Sequence, residues 1–250
     1  MLEVSHVSFV YPGREKIYED FNLSAFPGQI IGVTGAVACG KSTLGKTFLC
    51  EYPYEGRIRF HGKELSEMTK AERTGMIGYL GHDPELFNDS VRNNILLGDD
   101  DDAEKYLKAV CFDGEVAEME EGMDTIVGNG GVRLSGGQAQ RLALARTLCH
   151  KRPVLILDDP FSALDRKTEE EVFANLRKFT ADSIVILLSH RLYLFPEMDQ
   201  VLWMEAGKVT AGTHEQILEK FPEYARLYEA QADGADAHNT QEGGPDHAEK

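Results

Sequence analysis

Residues 2–10 (LEVSHVSFV) alternate apolar and polar side chains, the period-two pattern of a strand with one buried face. Pro12-Gly13 closes that run with a turn signal. Three more short segments, 29–35 (QIIGVTG), 56–62 (GRIRFHG) and 76–80 (MIGYL), also read as strands. The middle of the chain changes period. Residues 102–121 carry helix-forming residues with apolar positions near helical spacing, and QAQRLALARTLC after Ser135 predicts another helix. The last third alternates again. A buried strand over 154–157 (VLIL) precedes an amphipathic helix over 167–179 and a second buried strand over 184–189 (IVILLS). A hairpin over 200–213 and a helix over 214–231 follow. Strands alternating with helices of this length imply parallel pairing and an α/β fold. The acidic, helical stretch at about 83–150 reads as a lobe inserted between strands, within a folded unit spanning 1–231. Residues 232–250 hold no large apolar side chain to offset ordering entropy, and are expected to be a disordered acidic tail.

Composition narrows the class. With 250 residues, 42% hydrophobic and 27% charged, the chain can bury a substantial core. A net charge of −16 argues against nucleic acid as a partner, because binding to phosphate backbones depends on basic surface. Any anionic ligand needs a local electropositive site. The four cysteines, Cys39, Cys50, Cys111 and Cys149, form no C-x-x-C pair, so neither a zinc site nor a thioredoxin-like motif is indicated, and their scatter suits a reducing, cytosolic compartment. No apolar run approaches the roughly 20 residues that span a bilayer, and the first residues lack the pattern of a signal peptide. A membrane partner is therefore expected on another chain or on a segment outside this sequence.

The chemistry concentrates in 35-GAVACGKS-42, which matches G-x-x-x-x-G-K-[ST] between an apolar strand and a helix-forming segment. Glycines let the loop Gly35, Ala36, Val37, Ala38, Cys39, Gly40 curl its N–H groups inward around phosphate oxygens. The helix opening at Lys41, Ser42 and Thr43 adds partial positive charge. Lys41 can reach the outer phosphates, and Ser42 offers a hydroxyl to Mg²⁺. The second signal is 154-VLILDDP-160. Asp158, at the carboxyl end of a buried strand, is placed to hold Mg²⁺, and Asp159 stands where a general base for an attacking water belongs. ATP and Mg²⁺ are the expected ligands.

Residues 134-LSGGQ-138, lying between these two motifs, resemble the signature of ATP-binding-cassette (ABC) proteins, and the resemblance extends over about residues 2–230. It implies a P-loop NTPase core with a mostly parallel sheet, an N-terminal antiparallel β subdomain and an inserted α-helical subdomain. It further implies that Tyr11 stacks on adenine and that Asp165 of 162-SALD-165 lies at a dimer interface. It makes His190 the switch histidine facing the γ-phosphate. Ser135, Gly136, Gly137 and Gln138 would then contact the nucleotide held by a partner cassette. The implied partners are a second nucleotide-binding domain and transmembrane domains, at the cytoplasmic face of a membrane. The wording of 84–98 and 129–148 looks like exporter cassettes. Three positions depart from the pattern. Asp159 stands where active members carry Glu, Asn129 stands where exporters usually carry Glu, and His82 stands where a Mg²⁺-contacting Gln is usual. His82 is expected in both the catalytic and the metal set. The shorter carboxylate of Asp159 implies a weakened site of the kind found in asymmetric heterodimers. The alternatives are a regulatory cassette that holds ATP without hydrolysing it, and a soluble cassette of DNA repair or translation. The second lacks its coiled coil or basic linker here, and the charge has the wrong sign.

Overall fold

The computed structural model describes residues 1–36, 38–161 and 164–239, with side chains of the last helix described through Ala232. The first part of the chain gives strands β1 (Leu2–Val10), β2 (Lys16–Ala25) and β3 (Ile30–Gly35), helix α1 (Lys41–Thr47), strands β4 (Glu55–Phe60) and β5 (Lys63–Glu64), helix α2 (Lys70–Met76) and strand β6 (Ile77–Leu80). Next come β7 (Asp89–Ser90), helices α3 (Val91–Leu96), α4 (Ala103–Ala109) and α5 (Asp113–Ala117), β8 (Ile126–Val127) and helix α6 (Gly136–Cys149). The last part comprises β9 (Val154–Asp158), α7 (Arg166–Phe179), β10 (Ile184–Leu188), β11 (Gln200–Glu205), β12 (Lys208–Gly212), α8 (His214–Lys220) and α9 (Pro222–Asn239).

Among the described residues ten strands form one sheet in the order β5-β4-β1-β2-β12-β11-β3-β10-β9-β6. The half containing β11, β3, β10, β9 and β6 is parallel, while β5, β4, β1 and β2 pair antiparallel. This is the expected α/β architecture of a parallel core with an antiparallel β lobe. The helical lobe, α3 to α6 with the β7–β8 pair, is inserted between β6 and β9. No helix among the described residues is long and apolar enough to cross a membrane.

Strand periodicity divides the core in two. Leu155 and Leu157 of β9, with Val185 and Leu187 of β10, join the cluster containing α6, α7 and the aromatic side chains Phe161, Phe173 and Trp203. The alternate residues Val154, Ile156, Ile184, Ile186 and Leu188 face the opposite cluster, with Leu44 of α1 and Phe9 and Tyr18 of the β lobe. Both strands are buried on each face, which is why they read as unbroken apolar runs.

Several expected elements differ in extent. The helix expected over 102–121 breaks into α4 and α5, because Cys111 turns the chain in the left-handed region at φ 52°. The helix expected over 214–231 breaks at Phe221, which is extended before Pro222; proline disfavours the helical conformation in the residue preceding it. Helix α9 is described through Asn239, and residues 240–250 of the expected tail lie outside the described residues. Strand β2 was not singled out. Its alternation is interrupted at Asp20, which sits at φ 53° beside a register shift against β1.

The two C-terminal helices are anchored by a buried aromatic group. Tyr224 packs edge-on to Trp203 at 5.5 Å, and its hydroxyl pairs with Nδ1 of buried His214 at 2.7 Å. Burial draws His214 below its ordinary pKa of 6.5. The unfolded chain therefore binds the proton more readily, so folding is weakened as pH falls through 6.5 and below. The urea midpoint is expected to drop over that range, and His214→Gln to flatten the drop; an unchanged slope would contradict this.

Candidate functional site

The parallel strands β6, β9, β10 and β3 are neighbours, so their carboxyl ends open on one edge of the sheet. Ligands collect at such an edge in α/β sheets. Strand β3 delivers the loop that begins at Gly35. A Cβ there would stand 2.3 Å from the Met204 carbonyl oxygen, so only glycine lets the loop leave the sheet at this point. Gly40, at φ 101°, is the residue preceding α1, and a Cβ on it would lie 2.3 Å from Cγ2 of Ile17. Gly40 supplies no side-chain cap, so among the described residues no side-chain oxygen caps the first N–H groups of α1. Lys41 is buried, and its ammonium donates to the carbonyls of Gly35 and Ala36 at 3.2 Å each, with Sγ of Cys39 at 3.8 Å. Ser42 is exposed on the same turn. Ala38 sits at φ 62°, within the curl. Val37 lies outside the described residues.

Asp158 ends β9 in register with Leu188 of β10, and it is buried. The Tyr79 hydroxyl of β6 donates to Asp158 Oδ2 at 3.4 Å. Burial, reinforced by that carboxylate, pushes the Tyr79 phenol up to about 12, so it stays a donor. Asp159 follows at φ 49° and bonds its N–H to the Leu188 carbonyl at 2.9 Å. A left-handed non-glycine residue costs about 1–2 kcal/mol, and here the pairing with β10 holds it in place. Oδ2 of Asp159 lies 3.9 Å from Nδ1 of His82, in the loop after β6. His190 follows Ser189, whose N–H bonds the Val33 carbonyl at 3.1 Å. Part of the His190 ring meets solvent, yet the protein crowded around it lowers its pKa, and the Lys41 ammonium adds to the effect. Asp159, Asp158 and His82 are also near enough to act on His190. Five side chains from separated stretches of sequence thus share one electrostatic neighbourhood: Lys41, His82, Asp158, Asp159 and His190.

Tyr11 stands beside α1, its hydroxyl 3.3 Å from Oγ1 of Thr43 and its ring edge-on to Phe9 and Tyr52. Ser135 caps α6 in a reciprocal box with Gln138, while the Gln138 amide donates to Glu115 of α5 at 2.7 Å. The bonds of the 135–138 turn thus run into the helical lobe, with Ser135 and Gly136 exposed and Gly137 buried. Gln140 links that lobe to the edge by donating to the Gly81 carbonyl at 3.2 Å. Asp165 caps α7 through Thr168, whose hydroxyl and N–H hold its carboxyl below the usual range. Ser162 and Ala163 lie outside the described residues.

The sequence reading missed a second group behind the edge. Glu169 of α7 is fully buried, with Oε2 bonded to Arg191 at 3.0 Å and to the Tyr193 hydroxyl. Burial drives this carboxyl up to about 7, against the pull of both partners. The signal was in the helix period. Glu169 shares the buried stripe with Val172, Phe173 and Leu176, an acid on an otherwise apolar face. A cleft of about 630 Å³ at Arg57, Arg59, Lys63 and Glu64 lies instead on the antiparallel lobe. Substituting Gly40→Ala, which combines unfavourable φ with the Ile17 clash, is expected to destabilise the fold by about 1–3 kcal/mol in chemical denaturation. A loss below about 0.5 kcal/mol would show that the loop can relax around a side chain.

Comparison with known proteins agrees with this fold. A family model described as ABC transporter matches residues 18–162. An ATP-dependent lipid A-core flippase of Pseudomonas syringae pv. tomato is 38% identical over 235 residues, covering 91% of this chain and 39% of that protein. P-glycoprotein 14 of Caenorhabditis elegans is 34% identical, covering 96% of this chain and 19% of that protein. The structure of a bacterial Atm1-family ABC exporter with ATP bound superposes with a TM-score of 0.84 at 30% identity, over 92% of this chain and 42% of that one. The chain spans about two fifths of the length of the flippase.

Proposed function

Because the chain belongs to the ABC transporter family, we propose that it is the ATP-binding and ATP-hydrolysing motor cassette of an exporter-type transporter, working at the cytoplasmic face of a membrane. The observation that carries this reading is the meeting of Lys41, Asp158, Asp159 and His190 at one sheet edge, beside a glycine loop and a helix N-terminus. In this reading Lys41 exchanges its bonds to the Gly35 and Ala36 carbonyls for phosphate oxygens. Loop and helix N–H groups from Gly35 through Thr43 share that charge. Tyr11, held at α1 by Thr43, offers a ring face to the base.

The donor set fits Mg²⁺: the Ser42 hydroxyl in the first turn of α1 and the Asp158 carboxylate at the end of β9 are hard oxygens. When bound, the ion neutralises charge between the outer phosphates. Of the two roles expected of His82, the geometry favours the one beside Asp159, because an imidazole suits Mg²⁺ poorly. Asp159 orients and deprotonates the attacking water, and His190, kept neutral near pH 7, can donate or accept at the γ-phosphate. The exposed Ser135–Gly136 turn and Asp165 face a second cassette, a heterodimeric partner in preference to an identical one. Closure of the pair around ATP would then move attached transmembrane domains.

Asp159 is one methylene shorter than glutamate, and its reach decides between two readings. A misplacement of about 1 Å can cost on the order of 10²-fold in rate. In the first reading the cassette hydrolyses slowly; in the second it holds ATP as a regulatory module and leaves turnover to its partner. Asp159→Glu is expected to turn ATP over at least about tenfold faster than the unsubstituted chain, and equal rates would remove the weakened-site idea. Lys41→Ala should abolish saturable Mg-ATP binding in calorimetry; retained affinity would remove Lys41 from its assigned role.

A further inference from the structure

The turn that carries His190 is held from behind by elements that reach no phosphate in the proposed site. The Gln231 amide on α9 donates to the His190 carbonyl at 2.8 Å and accepts from the Leu192 N–H at 2.8 Å. One planar side chain therefore closes both backbone groups that flank Arg191. The Arg191 guanidinium is bound by buried Glu169 at 3.0 Å, and the backbone N–H of Arg191 donates to Oγ of Ser189 at 3.0 Å. The Arg191 guanidinium also lies 3.5 Å from the carbonyl of Phe161, two residues beyond Asp159. A shallow surface depression of about 370 Å³, lined by Arg166, His190, Arg191, Tyr193 and Gln231, borders this turn.

Helix α9 is built to hold Gln231 in register. Tyr224, Tyr228 and Gln231 are spaced four and three residues apart, so they lie on one helix face. Tyr224 packs on Trp203 and Phe195, and Tyr228 packs on His214 at 4.7 Å, so the same stripe that fastens the helix ends at the His190 turn. We propose that Gln231 is a positioning residue for His190: the last helix, through one side-chain amide, sets where the imidazole stands relative to the bound nucleotide. The inference rests on His190 facing phosphate in the proposed ATPase reading. It makes the C-terminal helix part of the nucleotide switch, so a partner that displaces α9 would alter turnover without touching the nucleotide.

Gln231→Met keeps the side-chain volume and removes both hydrogen bonds, while Gln231→Glu keeps the acceptor for Leu192 and loses the donor. In the full chain, Gln231→Met is expected to slow single-turnover ATP hydrolysis about tenfold. The Mg-ATP dissociation constant should stay within about twofold, the melting temperature within a few degrees, and Gln231→Glu should fall between the two proteins. An unchanged rate, or affinity and melting temperature falling together with it, overturns the proposal. Should the unsubstituted chain show no turnover, the ATPase reading fails separately, and the positioning role is judged by the His190 ring resonance, assigned through His190→Gln. Addition of Mg-ATP is expected to shift that resonance in the unsubstituted chain and not in Gln231→Met. Identical behaviour of the two proteins overturns it.

Discussion

The structure depends on the in-register parallel pairing of β3, β10 and β9. Each strand is buried on both faces along its length, and the three end at Gly35, Asp158 and Leu188, the last followed by Ser189 and His190. Parallel pairing puts those three ends on the same edge. The backbone bond from Asp159 to Leu188 and the bond from Ser189 to Val33 lock the register at that edge. A slip of one residue would turn every side chain to the opposite face, and with it Asp158 away from the loop. The hydrophobic core and the chemistry are thus fixed by the same hydrogen-bond ladder.

Around that edge the charges are arranged so that none stands alone. Lys41 is satisfied by its own loop carbonyls, Asp158 by Tyr79, and Asp159 lies near His82. In a chain of net charge −16, this is how a local site can accept an anion: a buried ammonium and a helix terminus without a side-chain cap outweigh the distant acidic surface. The helical lobe shares one hydrophobic cluster with the parallel strands and bonds the edge through Gln140 and the Gly81 carbonyl, while its Ser135 turn is exposed.

Much of this was legible in the sequence because the governing signals are local. GAVACGKS encodes its conformation residue by residue, and VLILDD states both burial and charge within six positions. The strands of the parallel core were readable for the same reason. What escaped required distance. Tyr79 matters only because β6 lies beside β9, and Gln231 only because α9 folds back on the turn after β10. Strand β2 was obscured by a left-handed residue that breaks its alternation, and α4 by a turn at Cys111 that composition does not announce. Glu169 was readable in principle, as an acid on an apolar helical stripe, but its meaning lies in Arg191 and Tyr193.

The most direct test is a crystal structure of the chain with Mg²⁺ and a non-hydrolysable ATP analogue. Lys41 is expected to leave the carbonyls of Gly35 and Ala36 for the outer phosphates, with the Asp158 carboxylate and the Ser42 hydroxyl disposed around the metal. A nucleotide bound elsewhere, for instance in the cleft at Arg57 and Arg59, with Lys41 unmoved, would contradict this expectation.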